Sequence, residues 1–177
     1  MAAAAAARAS RAVSRRALLA GAVPALLLAG CGFQLRRAPD YPFKSIAVTG
    51  PEPLAALVRR ELKGMGNLTV LDAKAPTQDA EVVCELLDQS RSSGIAASTS
   101  GGTIRELTLG LTVRFRLRTS SGGKELIPAT SVSQSRDISY NETSALAKEN
   151  EQELLYRDMT ADLAQQVVRR LGFVKTL

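Results

Sequence analysis

The sequence contains no histidine and only two cysteines, Cys31 and Cys84. It has no metal-spaced cysteine set, no nucleophile paired with an imidazole, and no glycine-rich loop set between a strand and a helix to cradle phosphate. The chain therefore reads as a non-enzyme with no catalytic residue, no metal site and no cofactor. What it offers instead is guanidinium. Arg114, Arg116 and Arg118 alternate with Val113, Phe115 and Leu117, and a spacing of two places all three on one side of a strand, about 7 Å apart. Guanidinium forks bind phosphate well. These three, with Arg91 and Arg136, form the candidate ligand-binding set. The competing reading for each arginine is a solvated strand face paired with Glu81, Glu85 or Glu125 across strands.

The second candidate for chemistry is Cys31, which stands where the apolar run ALLAGAVPALLLAG ends and GFQLRR begins. The basic stretch MAAAAAARASRAVSRR and the apolar run after it have the layout of an export signal. Pro24 interrupts a run already shorter than the about 20 apolar residues of a spanning helix. Leu28-Ala29-Gly30-Cys31 resembles the lipobox of bacterial lipoproteins, in which small residues admit the peptidase and the thiol accepts a diacylglycerol. Several acyl chains on one cysteine anchor a protein where a single chain holds only marginally. Residues 1–30 are thus expected to be a cleaved signal peptide, and 31–43 a lipidated tether with no periodic core face. Gly32 stands where an inner-membrane retention signal would carry Asp, which implies outer-membrane sorting. Ser14-Arg15-Arg16 with Leu18 and Leu19 faintly resembles a twin-arginine signal, although a basic n-region also yields paired arginines by chance.

Signal removal changes the charge argument. Four of the 23 Lys and Arg lie in residues 1–30 and all 17 acidic residues lie beyond, so the net charge falls from +6 to +2. A nearly balanced exported chain carries no electrostatic footprint for nucleic acid. The remaining length suits one domain, expected over residues 44–177. With Cys31 acylated, Cys84 has no partner and reads as a small core hydrophobe.

The elements that must position the arginines follow from periodicity. KSIAVT (44–49) reads as a first strand, ended by Gly50-Pro51-Glu52-Pro53. Leu54, Leu57, Val58, Leu62 and Met65 recur at helical spacing, predicting a helix over 53–65 that opens on Pro53 and closes at Gly64 or Gly66. Leu68–Leu71 reads as a brief strand, and 79–89 as a strand with Ala80, Val82, Cys84 and Leu86 on one face. Residues 90–102, rich in Ser and Gly, are expected to form a mobile hairpin tip. Leu107 to Leu117 alternates with period two, a strand with one dry face. Ser120-Ser121-Gly122-Gly123 turns the chain into a last strand over 125–140, where Pro128 argues for an edge or a bulge. A long helix follows, capped by Asn141, Thr143 or Ser144, with a stripe through Leu155, Met159, Leu163, Val167 and Leu171. Gly172 ends it, and Arg169, Arg170 and Lys175 suit the negative end of the helix dipole. The fold class is α+β, with two helices on one face of a mostly antiparallel or mixed four-stranded sheet and the other face open.

CGFQLR after the lipobox, the strand IRELTLGLTVRFRL, Arg136 ahead of Tyr140-Asn141, and the block ALAKENEQELLYRDMTADLAQQVVRRL together resemble the LPS-assembly lipoprotein LptE family. The similarity spans almost the whole mature chain, and the helix block is its most specific part. It implies a non-enzymatic outer-membrane lipoprotein on the periplasmic side, with the LptD β-barrel and lipopolysaccharide as partners. Such a protein plugs the barrel, supports its assembly and contacts lipopolysaccharide. Family members can carry a Lys in the final strand where this chain has Ser131, Ser133 and Gln134. An alternative from the residues alone is a periplasm-facing scaffold or solute-binding lipoprotein that enters no barrel.

Overall fold

Leu54, Ala55, Val58 and Leu62 are buried along one side of a helix, and Leu109, Leu111, Val113, Phe115 and Leu117 along one side of a strand. The two patterns meet in one core. The computed structural model describes residues 39–141 and 145–177, and the expected signal, Cys31 and the caps Thr143 and Ser144 lie outside them. In chain order the elements are β1 (Ser45–Thr49), α1 (Leu54–Gly64), β2 (Thr69–Val70), a 3-10 turn (Thr77–Asp79), β3 (Val82–Ser98), β4 (Ile104–Thr119), β5 (Glu125–Ser139) and α2 (Ala145–Leu171).

The sheet order is β2-β1-β3-β4-β5, with β1 parallel to β2 and β3, and β3-β4-β5 antiparallel. The expected α+β class holds, with five strands rather than four because Thr69–Val70 pairs with Ser45 and Ile46 at the far edge. Both helices cover one face. Phe43, Ile46, Val48, Val82, Cys84 and Leu86 meet Leu54, Val58 and Leu62 of α1 and Met159, Leu163 and Val167 of α2 in a continuous apolar layer. Gly50 adopts φ +132°, and a Cβ there would collide with the Leu86 carbonyl oxygen; only glycine allows the chain to pass so close to β3. Gly66, with φ +72°, takes the turn after α1.

Three expectations are corrected. The tether reading of 31–43 fails at its end: Phe43 is 2% exposed in the core, and Asn67 Nδ2 donates to the Pro39 carbonyl at 2.7 Å. An aromatic side chain next to the first strand is drawn into the apolar layer. Residues 90–102 are not a loop. Ser90–Ser98 continues β3, and only a short turn at residues 99–103 joins it to β4. The first half of β4 needs a backbone partner, and that requirement outweighs the weak strand preference of Ser and Gly.

The third correction concerns faces. Leu86 stands opposite Phe115 and Asp88 opposite Arg114, so Leu87 is an extra residue, a β-bulge. A bulge inserts one residue and shifts the side-chain alternation by one. Before it, odd-numbered residues of β3 face away from the helices; after it, Gln89, Arg91, Ser93 and Ile95 align with the helix-facing Val113, Leu111, Leu109 and Leu107. In β5 a second irregularity falls at Pro128, between the pairs Leu117–Ile127 and Phe115–Thr130, so Pro128 sits both on an edge strand and at a bulge. Beyond it Thr130, Val132, Gln134, Arg136 and Ile138 share the helix side.

Candidate binding face

The candidate arginines divide between the two faces. Arg114, Arg116 and Arg118 project from β4 on the side away from the helices, as their spacing requires. Arg91 and Arg136 lie on the helix side, aligned with Leu111 and Leu109. The five do not form one site.

On the open face, Glu85 is directly opposite Arg116. It accepts from Arg116 Nε at 2.5 Å and from Arg118 Nε at 2.7 Å, while Arg116 also approaches Glu125 Oε1 at 3.6 Å. Burial alone would raise the Glu85 pKa, but the hydrogen bonds from Arg116 and Arg118 outweigh it and hold the carboxyl below its ordinary value. The same pairing raises the pKa of Arg116. For these two arginines the paired-strand reading is the observed one. Arg114 differs. It is exposed, it stands opposite Asp88 and Ser131, and it forms no ion pair among the described residues.

Around Arg114 the open face is built from small groups. Ser90, Ser92 and Gly94 of β3, Thr112, Gly110 and Thr108 of β4, and Ser131, Ser133 and Ser135 of β5 lie in aligned rows. Thr108 Oγ1 donates to Asp137 Oδ1 at 2.5 Å. These rows of hydroxyls were legible only as the alternation Ser131-Val132-Ser133-Gln134-Ser135, and sequence reasoning did not single them out. They leave the surface low enough for a ligand or another protein surface to approach the sheet closely, with hydroxyl donors and acceptors at every aligned position but Gly94 and Gly110. Nearer β1, Ala47, Ala80, Val83 and Leu71 form a small apolar cluster that closes that end.

On the helix side, Arg91 and Arg136 hold α2. Arg91 NH1 meets Glu153 Oε2 at 2.7 Å, and its guanidinium lies 4.5 Å from the centroid of the Tyr156 ring. Tyr156 Oη in turn donates to the Ser92 carbonyl at 2.8 Å. Arg91 also pulls the Glu153 pKa down. Arg136 NH2 reaches Asp162 Oδ2 at 3.2 Å, and Gln134 Nε2 reaches the same oxygen at 3.0 Å. Cys84 is fully buried, and desolvation pushes its thiol pKa up to about 12; it is a core residue, as expected. No helix among the described residues is long and apolar enough to cross a membrane.

The fold is an α+β sandwich with one sheet face packed by helices and, across β3-β5, the other lined by arginine and small hydroxyls. A family model described as LptE, lipopolysaccharide-assembly, matches residues 43–171. The LPS-assembly lipoprotein LptE of Photorhabdus laumondii is 31% identical over 152 residues, covering 82% of this chain and 79% of the relative. That of Pectobacterium atrosepticum is 29% identical, with the same coverage. The chain belongs to the LptE family of lipopolysaccharide-assembly lipoproteins, a family without enzymatic activity. Among solved structures, it is similar to an uncharacterized lipoprotein B from Nitrosomonas europaea. The TM-score is 0.63 at 26% identity, over 80% of this chain and 90% of the other. The fold is also that of the rare lipoprotein B from Shewanella oneidensis, with a TM-score of 0.60 over 73% of this chain and 94% of the other.

Proposed function

We propose that this protein is an outer-membrane lipoprotein, anchored on the periplasmic side through acylated Cys31, that plugs the LptD β-barrel, assists its assembly and contacts lipopolysaccharide. The observation that carries the ligand part of this reading is Arg114, an exposed guanidinium without an ionic partner among the described residues, where the hydroxyl rows of the open face begin. Phosphates of lipid A meet it first, and the hydroxyl rows offer hydrogen bonds to sugar oxygens. Arg116 and Arg118 supply background positive potential, since Glu85 already occupies their Nε donors. Arg91 and Arg136 are half-exposed at 47% and 50%, and they take phosphate only by giving up Glu153 and Asp162, so they rank behind Arg114.

The plug reading rests on family membership across nearly the whole domain. Its test is purification of the protein from membranes in mild detergent. A large β-barrel at stoichiometric amount supports the plug, and its absence supports a scaffold that enters no barrel. The ligand reading is tested separately by lipopolysaccharide binding of Arg114→Glu.

A further inference from the structure

Four phenylalanines occur in the chain. Among the described residues Phe43 and Phe115 are buried at 2% and 0%, whereas Phe173 is 73% exposed. It is not part of a loose end. Val174 beside it is buried, the Phe173 and Val174 amides donate to the Arg170 and Leu171 carbonyls at 3.1 and 3.3 Å, and Lys124 Nζ donates to the Leu177 carbonyl at 3.1 Å. The fold thus holds an aromatic ring in solvent, in a segment that also exposes Leu177 and the cations Arg169, Arg170 and Lys175. Favourable placement at the helix dipole accounts for Arg169 and Arg170; contrary to the expectation from sequence it does not account for Lys175, which lies beyond the helix end at Leu171, nor for the ring.

The position of this patch is what gives it meaning. Gly172 packs so tightly on Pro39 that a Cβ there would lie 2.9 Å from the proline ring carbons. Pro39 is eight residues from Cys31, and eight residues span at most about 29 Å even when fully extended. The intervening sequence carries two more cations, Arg36 and Arg37, against the single acid Asp40 beside Pro39. A chain anchored by lipid at Cys31 therefore enters the domain at the patch that combines an apolar ring with positive charge. The opposite end of α2 is remote: Lys148 Nζ meets Ser139 at the end of β5, about 36 Å from Gly172 at 1.5 Å per residue.

We infer that the segment Arg169–Leu177 is a membrane-docking patch for the anionic phospholipid surface in which the anchor sits. Phe173 and Leu177 enter the headgroup boundary, and Arg169, Arg170 and Lys175 meet lipid phosphates. This is the pairing of apolar and basic groups that holds interfacial segments on bilayers, and a second weak signal added to acyl chains makes anchoring stable. The inference rests on Cys31 as the anchor, and the experiment separates the two.

The chain has no tryptophan, so F173W introduces a single indole at the patch. The full protein purified from membranes is reconstituted into vesicles of phosphatidylethanolamine with and without phosphatidylglycerol, and the mass of its N-terminal peptide reports acylation independently. If acyl chains are absent, the anchor reading fails by itself; the same chain is then coupled through the Cys31 thiol to maleimide lipid, while Cys84 is shielded by complete burial, and docking is still read. The expected result is a blue-shifted indole quenched by brominated acyl chains, more strongly with phosphatidylglycerol. R169E, R170E and K175E combined should reduce that quenching about threefold, since exposed charge acts only near the surface. An indole on vesicle-attached protein that emits as in water and escapes the brominated chains overturns the inference. So does a blue shift that appears without vesicles and grows with protein concentration, which would assign the patch to a second copy of the chain.

Discussion

Glu85 and Arg116 face each other across β3 and β4, carboxylate to guanidinium at 2.5 Å, with Arg118 taking the second oxygen at 2.7 Å. One acid thereby occupies two of the three arginines that alternation alone would offer to a ligand. Because the carboxyl pKa is lowered in the folded state, its stabilising contribution is present above its ordinary value of 4.5 and is lost as pH falls through the lower folded value. Glu85→Gln should cost on the order of 1 kcal/mol near neutral pH, as expected for a partly exposed, hydrogen-bonded pair. The cost should shrink towards zero below the folded pKa. Urea unfolding of both proteins across an acid series checks the sign; a constant difference at every pH would mean that the charge on Glu85 does not matter.

Arg114→Glu should weaken lipopolysaccharide binding about tenfold, because a charge-assisted hydrogen bond to phosphate gives way to repulsion between like charges. Thermal unfolding should barely move, because an exposed charge without a salt-bridge partner contributes about 0 to 1 kcal/mol. Titration at two salt concentrations supplies the control, since binding through exposed charge weakens with screening. Unchanged affinity would leave the open face to a protein partner. Normal ligand binding with impaired barrel association would point the same way.

Arg91→Ala and Tyr156→Phe act on the same clamp. The first removes the pair with Glu153 and the stacking on the ring, the second the hydroxyl bond to the Ser92 carbonyl. Each should destabilise by about 1 kcal/mol, and the double variant by less than the sum, because the guanidinium and the ring pack on each other. Hydrogen exchange should rise first in the amino-terminal half of α2. Uniform protection along the helix would contradict the clamp.

Phe115→Asp should abolish folding. Phe115 is 0% exposed, and an unpaired carboxylate in the core costs several kcal/mol against a total stability of about 5 to 15. Loss of the cooperative unfolding transition is the readout. The conservative Phe115→Leu should fold, with a cost of about 1 to 2 kcal/mol for the reduced volume.

Cys31→Ala should leave an unprocessed precursor without acyl chains. Fractionation and mass measurement of the N-terminal peptide test this, and normal processing with membrane retention would refute the lipobox reading.

Much of this protein was legible in its sequence because the relevant signals are local. The alternation from Leu107 to Leu117 specified a strand and its dry face. The spacing of Leu54, Val58 and Leu62 specified a helix, and Pro128 an edge. The contents of each sheet face beyond β4 depended on something non-local. One residue, Leu87, bulges out because β3 and β4 must stay paired across Leu86–Phe115 and Asp88–Arg114, and the side chains from Asp88 to Ile95 change sides. That shift carried Arg91 to the helix side, where Glu153 and Tyr156 hold it. The register of β5 placed Arg136 there as well. Pairing geometry also turned the Ser and Gly run after Gln89 into a strand, since an unpaired β4 backbone costs more than poor propensity does. Which arginine remains available was likewise a tertiary outcome: the sequence shows five candidates and the carboxylates near them, but only the folded register decides that Glu85 faces Arg116 and that, among the described residues, no ion pair forms at Arg114.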